Sequence, residues 1–375
     1  MYSKSYGPPL TAVFRNAILM PRLKNERGRG AAMVKNLAIV SLSSGMLGEL
    51  SVKHELELGL RRLAAYGLNV SFTPHALDGL QSLAAHPEHR AADLIAAFQD
   101  DAVDMILCAI GGDDTYRLLP YLFGRDQLKK AIKKKKIFLG FSDTTVNHFM
   151  LHKLGLPSFY GQAFLPDICE LSEELLPYTR RYFEELIRTG SIARIEPSPV
   201  WYEERTDFGP DQLGRPLPVH KNGGFELLQG PSVFSGEILG GCIDTIYDMF
   251  YGERYSDSAR LCQAYALFPP LQDWRGKLLL LETSEDRPAP EKYAKALRAL
   301  KDFGLFEVIN GILIGKPQNE IHADAYKKAL VAAVDNPALP IVCNLSIGHA
   351  APRCILPLGV LATVDIAAQC IRFSP

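Results

Sequence analysis

Apolar and polar positions follow a recurring order along the chain: a short apolar run, a turn of small residues, then an apolar stripe at helical spacing. Leu37–Leu42, Asn69–Thr73 and the apolar end of Ala102–Ile110 read as strands. Val52–Tyr66, stopped by Gly67, and residues 88–100 read as amphipathic helices between them. Residues 171–189 predict a longer amphipathic helix. The alternation resumes at Gly236–Asp244, a strand, turn and helix start, and at Gly276–Glu282, a buried strand ending on an acid. Residues 290–303 and Ala323–Val334 predict helices, Val308–Gly315 and Pro340–Leu345 strands, and Ile355–Thr363 and Ala367–Phe373 closing strands. Strands alternating with helices predict an α/β fold of two domains. The first is a mostly parallel sheet flanked by helices, the second is α/β or mixed β, and the site lies in the crevice between them.

The pattern also divides the chain. Residues 1–32 are a basic extension with no uninterrupted apolar segment, because Arg15 and Asn16 split the one candidate. Residues 33–195 form the first domain and 223–375 the second. Between them, residues 196–222 are rich in Pro, Gly and charge and read as a mobile linker, with Trp201, Tyr202 and Phe208 as anchors on the second domain or as walls of a cleft.

Composition narrows the class. The chain has 375 residues, 47% hydrophobic, with a formal net charge of −1, so no global field recruits nucleic acid or an anionic membrane. No apolar run approaches the roughly 18 residues of a membrane span. The seven cysteines are scattered, without a C-x-x-C pair, and read as buried free thiols of a cytoplasmic protein. His148 and His152 are an i,i+4 pair with no Glu in the H-E-x-x-H position, so no metal is expected there. The lysines at 129, 130 and 133–136 read as a solvated helix face.

Candidate chemistry centres on Ile137–Gln162. An apolar strand, Ile137-Phe138-Leu139, runs into the corner Gly140-Phe141-Ser142-Asp143 and then a helix. That geometry presents a serine at the carboxyl edge of a sheet, where the first N–H groups of the helix are free. One βα unit earlier, Gly111-Gly112-Asp113-Asp114-Thr115 lets backbone N–H groups approach a ligand. Glu282 ends its strand and His349 sits in a short Gly-containing loop after another, giving Ser142, Glu282 and His349 as nucleophile, orienting carboxylate and base. Glu285 is the alternative acid. The backbone N–H groups of Gly112 and Asp143 are the candidate oxyanion donors, with the Asp143 carboxylate capping the following helix.

The segments IGGDDTYRLLPYL, KIFLGFSDTTVNHFMLHKLGLPSFYGQ, GEILGGCID, GKLLLLE and IGHAAPRCILPLG together resemble the LD-carboxypeptidase family of serine peptidases, from about Lys35 onward. The likeness is closer to the microcin-immunity branch than to the muropeptide branch. The latter has an Arg-Gly-Gly-Tyr-Gly type segment where this chain has Ile110-Gly-Gly-Asp-Asp114. Cys242 stands where the family usually has Asn in GGN. The resemblance implies the Ser142–Glu282–His349 triad, oxyanion donors at Gly112 and Asp143, a homodimer, and neither metal nor cofactor. It implies an amide of a small peptide or aminoacyl conjugate as substrate, bound by Asp113, Asp114 and Trp201. Trp201 resembles the aromatic residue that the immunity branch stacks on a base. Two other readings remain: a phosphotransferase using Gly111–Thr115 like the GGDGT loop of NAD-kinase-like enzymes, and a non-catalytic small-molecule binding protein.

Overall fold

The computed structural model describes residues 33–374; the extension expected over residues 1–32 lies outside the described residues. Two sheets carry the fold. The first has six strands in the order Leu356–Leu358, Ser158–Tyr160, Ile137–Gly140, Met105–Cys108, Asn36–Val40 and Asn69–Phe72. Five are mutually parallel, as expected where helices cover both faces; only Leu356–Leu358, coming from the far end of the chain, runs antiparallel. Its pairing with Ser158–Tyr160 carries the segment after His349 onto the first sheet.

The second sheet has eight strands. Its centre is the parallel set Val233–Cys242, Leu278–Glu282, Gly311–Gly315 and Ile341–Leu345, flanked by antiparallel strands on both sides. Leu278–Leu281 are fully buried, as a strand covered on both faces requires. Each such side chain contributes roughly 1.5–3 kcal/mol. Glu282 ends this strand and is itself buried. Such a position demands partners for its charge.

Several expectations change in detail. The helix expected over residues 171–189 is Pro177–Thr189. Pro177 suits the first helical turn but pushes Leu176 into an extended conformation, so the helix cannot reach further back. The lysine run is not one helix face: the helix ends at Ala131, and Lys136 is buried with its Nζ donating to Val103 O at 2.8 Å. Lys134 likewise donates to Asp101 O, so the two lysines satisfy a turn's carbonyls. The polar stretch read as a linker contains an antiparallel hairpin, Val200–Tyr202 with Val219–Lys221. Tyr202 N–H donates to Ala351 O at 2.9 Å, which fastens the hairpin beside the His349 loop. All seven cysteines are free and buried. No helix among the described residues is long and apolar enough to cross a membrane.

Candidate active site

Ser142 follows the Ile137–Gly140 strand by two residues and has φ +66°. A non-Gly residue in the left-handed region marks a sharp, strained turn. It lifts the hydroxyl off the sheet edge toward the Gly111 loop. There a Cβ on Gly111 would lie 2.9 Å from Ser142 Oγ, so only glycine lets that backbone close on the serine.

The structure brings Ser142, His349 and Glu282 together. Ser142 Oγ lies 3.1 Å from His349 Nε2, and His349 Nδ1 lies 2.7 Å from Glu282 Oε2. The His349 backbone N–H donates to the same Glu282 oxygen at 3.2 Å. On its other oxygen Glu282 accepts a bond of 2.6 Å from Tyr160 O–H, and the Tyr160 oxygen in turn accepts from Ser142 N–H at 3.1 Å. The buried carboxylate is thus held from three directions, and its tyrosine partner reaches back to the serine it serves. The alternative acid, Glu285, has a different place: its Oε2 lies 2.8 Å from His349 Nε2, on the side facing Ser142. Burial alone pushes the His349 pKa down. The Glu282 and Glu285 carboxylates outweigh it and hold the imidazole up at about 10. Glu285 goes the other way, down to about 2, chiefly through its hydrogen bond to His349.

The loop holding His349 is built around Gly348, at φ +87°, whose missing Cβ leaves room for the Glu282 Cβ; a Cβ there would lie 2.6 Å away. Arg353 braces the loop from behind. Its guanidinium donates to the carbonyls of Gly348 and His349 and to Asp167 Oδ1 at 3.0 Å. Gly348→Ala is expected to cost about 1–3 kcal/mol from backbone strain alone and to displace Glu282. Thermal denaturation and activity measured on the same preparation check this.

The remaining candidates fall in different places. The N–H groups of Gly112 and Asp143 donate no hydrogen bond among the described residues; Gly112 lines the Ser142 pocket, and Asp143 N lies against the Gly111 loop, 3.4 Å from where a Gly111 Cβ would stand. The Asp143 carboxylate does not cap its own helix. It accepts from Ser43 Oγ at 2.6 Å and Thr115 N–H at 2.9 Å, tying three loops together, and burial pushes its pKa up to about 6. Asp114 is committed to an ion pair with the buried Arg90, at 2.5 Å, and does not face the pocket. Asp113 points into a neighbouring cleft, 3.8 Å from Arg254. Trp201 is buried, stacked on His220 at 4.3 Å with Lys316 over its ring, and does not line the Ser142 pocket. His148 commits Nδ1 to Ser158 and Nε2 to Gly140 O, so the His148–His152 pair offers no two-histidine metal site. Tyr160 and Arg353 join the site without having been expected there from their sequence neighbours. The signal for Tyr160 was its place at the end of a strand adjacent to the serine strand; for Arg353, a lone cation four residues past His349 in an apolar loop.

The chain is similar to known proteins over nearly its whole described length. Residues 37–161 match the LD-carboxypeptidase N-terminal domain and residues 235–364 the LD-carboxypeptidase C-terminal domain. The chain belongs to the LD-carboxypeptidase family. A Treponema pallidum protein named as a carboxypeptidase is 30% identical over 84% of this chain and 86% of its own. The microcin C7 self-immunity protein MccF of Escherichia coli is 24% identical over 74% of this chain and 76% of its own. Among solved structures, an MccF-like protein from Streptococcus pneumoniae in complex with AMP is 60% identical. It superposes with a TM-score of 0.90 over 91% of this chain and 99% of its own. Membership in this family makes a peptidase-type hydrolase the coarse function of the chain.

Proposed function

We propose that this family member is a serine hydrolase that cleaves an amide bond of a small peptide or aminoacyl conjugate through an acyl-enzyme on Ser142. The proposal rests on one observation above all, the hydrogen-bonded chain Ser142 Oγ–His349–Glu282 with links of 3.1 and 2.7 Å. Neutral His349 takes the proton from Ser142 Oγ at Nε2 as the oxygen attacks the amide carbon. The imidazolium then donates through Nδ1–H to Glu282 Oε2. The oxyanion is held by the free N–H groups of Gly112 and Asp143. His349 returns its proton to the departing amine nitrogen, and water, deprotonated by the same Nε2, releases the acyl group.

Conjugates with a nucleotide-like leaving group are the favoured substrates. Support comes from the MccF-like relative solved with AMP and from MccF itself, solved with aspartyl sulfamoyl adenosine. The pocket holding Ser142 has a volume of about 380 Å³, sized for a small molecule. Incubation with aspartyl sulfamoyl adenosine should release free aspartate and sulfamoyl adenosine without ATP or magnesium. A requirement for both would favour the phosphotransferase reading, against which the Asp114 carboxylate, locked to Arg90 in the would-be phosphate loop, already counts.

Glu285 gives this reading a pH signature. At rest the His349 imidazole lies between two carboxylates and is held protonated, whereas the base form must be neutral. The rate therefore rises with pH as His349 loses its proton. Removing the Glu285 charge lowers that pKa. Glu285→Gln should move the rising limb of the kcat/KM profile toward lower pH by roughly one unit. An unmoved limb means Glu285 does not act on His349.

A further inference from the structure

We infer that Glu55 is a specificity-determining residue whose carboxylate holds a protonated amine of the substrate in the Ser142 cleft. The inference rests on the hydrolase reading for its word "substrate", but its observations are independent of the triad.

Five glutamates line the cleft with Ser142, and four have a cationic or histidine partner. Glu170 pairs with Arg205 at 2.6 Å, Glu203 with His220 at 2.7 Å, Glu204 with Arg287, and Glu285 with His349 at 2.8 Å. The cleft's other cation, Arg353, is spent on Asp167. Glu55 has no hydrogen-bond or ion-pair partner among the described residues, although it is only 6% exposed. It sits at the third position of the helix Lys53–Ala65 but makes no capping bond there.

The Glu55 oxygens are not sealed from water, but a carboxylate on so largely buried a side chain loses most of its hydration, a cost that a paired donor or charge would relieve. Glu55 opens onto a cleft of small-molecule size whose walls include the apolar Leu165, Leu171 and Phe208. A ligand presenting an ammonium group between such walls supplies the missing donor and charge. A neutral or anionic group does not, since Glu170 adds negative charge nearby and Arg205 is already engaged. The titration fits: burial pushes the Glu55 carboxyl up to about 7, Arg205 pulls it down and Glu170 adds to the rise. The groups facing it are Arg205, Glu170 and, through the helix, the thiol of Cys169. Because the folded-state pKa is raised, stability falls as pH rises from the ordinary carboxyl value of 4.5 to about 7, and the full penalty is present above that. Glu55→Gln should therefore raise the melting temperature at pH 8 and leave it nearly unchanged at pH 5, which also shows that the variant folds.

The test is calorimetric binding to the Ser142→Ala protein, so that it does not depend on turnover. The probes are lysyl-alanine blocked at its α-amine and the same dipeptide with the lysine side chain acetylated. The lysyl probe should bind about tenfold more tightly, as a charge-assisted hydrogen bond implies, and Glu55→Gln should erase the difference. Equal binding of the two probes, a preference that survives Glu55→Gln, or no binding of the lysyl probe overturns the inference. Hydrolysis of both probes by the unmodified protein is scored separately. A binding preference without cleavage would sink the hydrolase reading and leave the amine site standing.

Discussion

Replacing Ser142 with Ala should lower kcat for amide hydrolysis by roughly 10⁴-fold or more, the loss expected when a nucleophile acting with its base is removed. The fold should survive. Among the described residues Ser142 Oγ bonds only His349 Nε2, and Glu285 already lies at 2.8 Å from that nitrogen to satisfy it. The backbone features that hold the corner do not involve the hydroxyl: Ser142 N–H bonds Tyr160, and Ser142 O accepts from Thr145 Oγ1 at 2.7 Å. The melting temperature of Ser142→Ala should thus stay within a few degrees of the parent while product formation disappears. Any residual rate measures what Gly112 and Asp143 contribute without a nucleophile.

Glu282→Gln should cost about as much activity, roughly 10⁴-fold, and should also destabilise the protein. The two Glu282 oxygens face three donors: the His349 backbone N–H, the His349 ring and Tyr160 O–H. A glutamine amide offers one acceptor oxygen and an NH2 that meets a donor whichever way it turns. If the NH2 faces His349, the ring must accept at Nδ1 and carry its proton on Nε2, where it can no longer receive the Ser142 proton. If it faces Tyr160, the phenol loses its acceptor in a buried site. An unsatisfied buried donor costs about 1–3 kcal/mol. Circular dichroism melts and kcat for the variant should both fall. Loss of kcat without loss of stability would mean that Tyr160 reorients freely.

Much of this site was legible in the sequence because position along a strand dictates direction at its end. The apolar run before Ser142, the LLLLE run ending at Glu282 and the strand preceding the Gly348–His349 loop each fix one group at a carboxyl edge. What was not legible depends on side chains meeting across the fold. Asp143 read as a helix cap, since its neighbours in sequence offer free N–H groups; the loops of Ser43 and Thr115, which it actually joins, approach only in the folded sheet. Asp114 looked available until Arg90, buried on another helix, claimed it. Trp201 looked like a cleft wall, but the hairpin places its ring between His220 and Lys316. Glu55, an unremarkable helix residue in sequence, is likewise the one acid of the cleft without a partner among the described residues.

Activation of Ser142 as a nucleophile by His349 underlies the whole proposed mechanism. Its most direct measurement is labelling with a fluorophosphonate followed by peptide mass mapping of the adduct. A single adduct is expected, on the peptide containing Ser142, whose formation is lost in His349→Ala and accelerates as pH rises. Label found on another residue, or formed at an undiminished rate in His349→Ala, would contradict it.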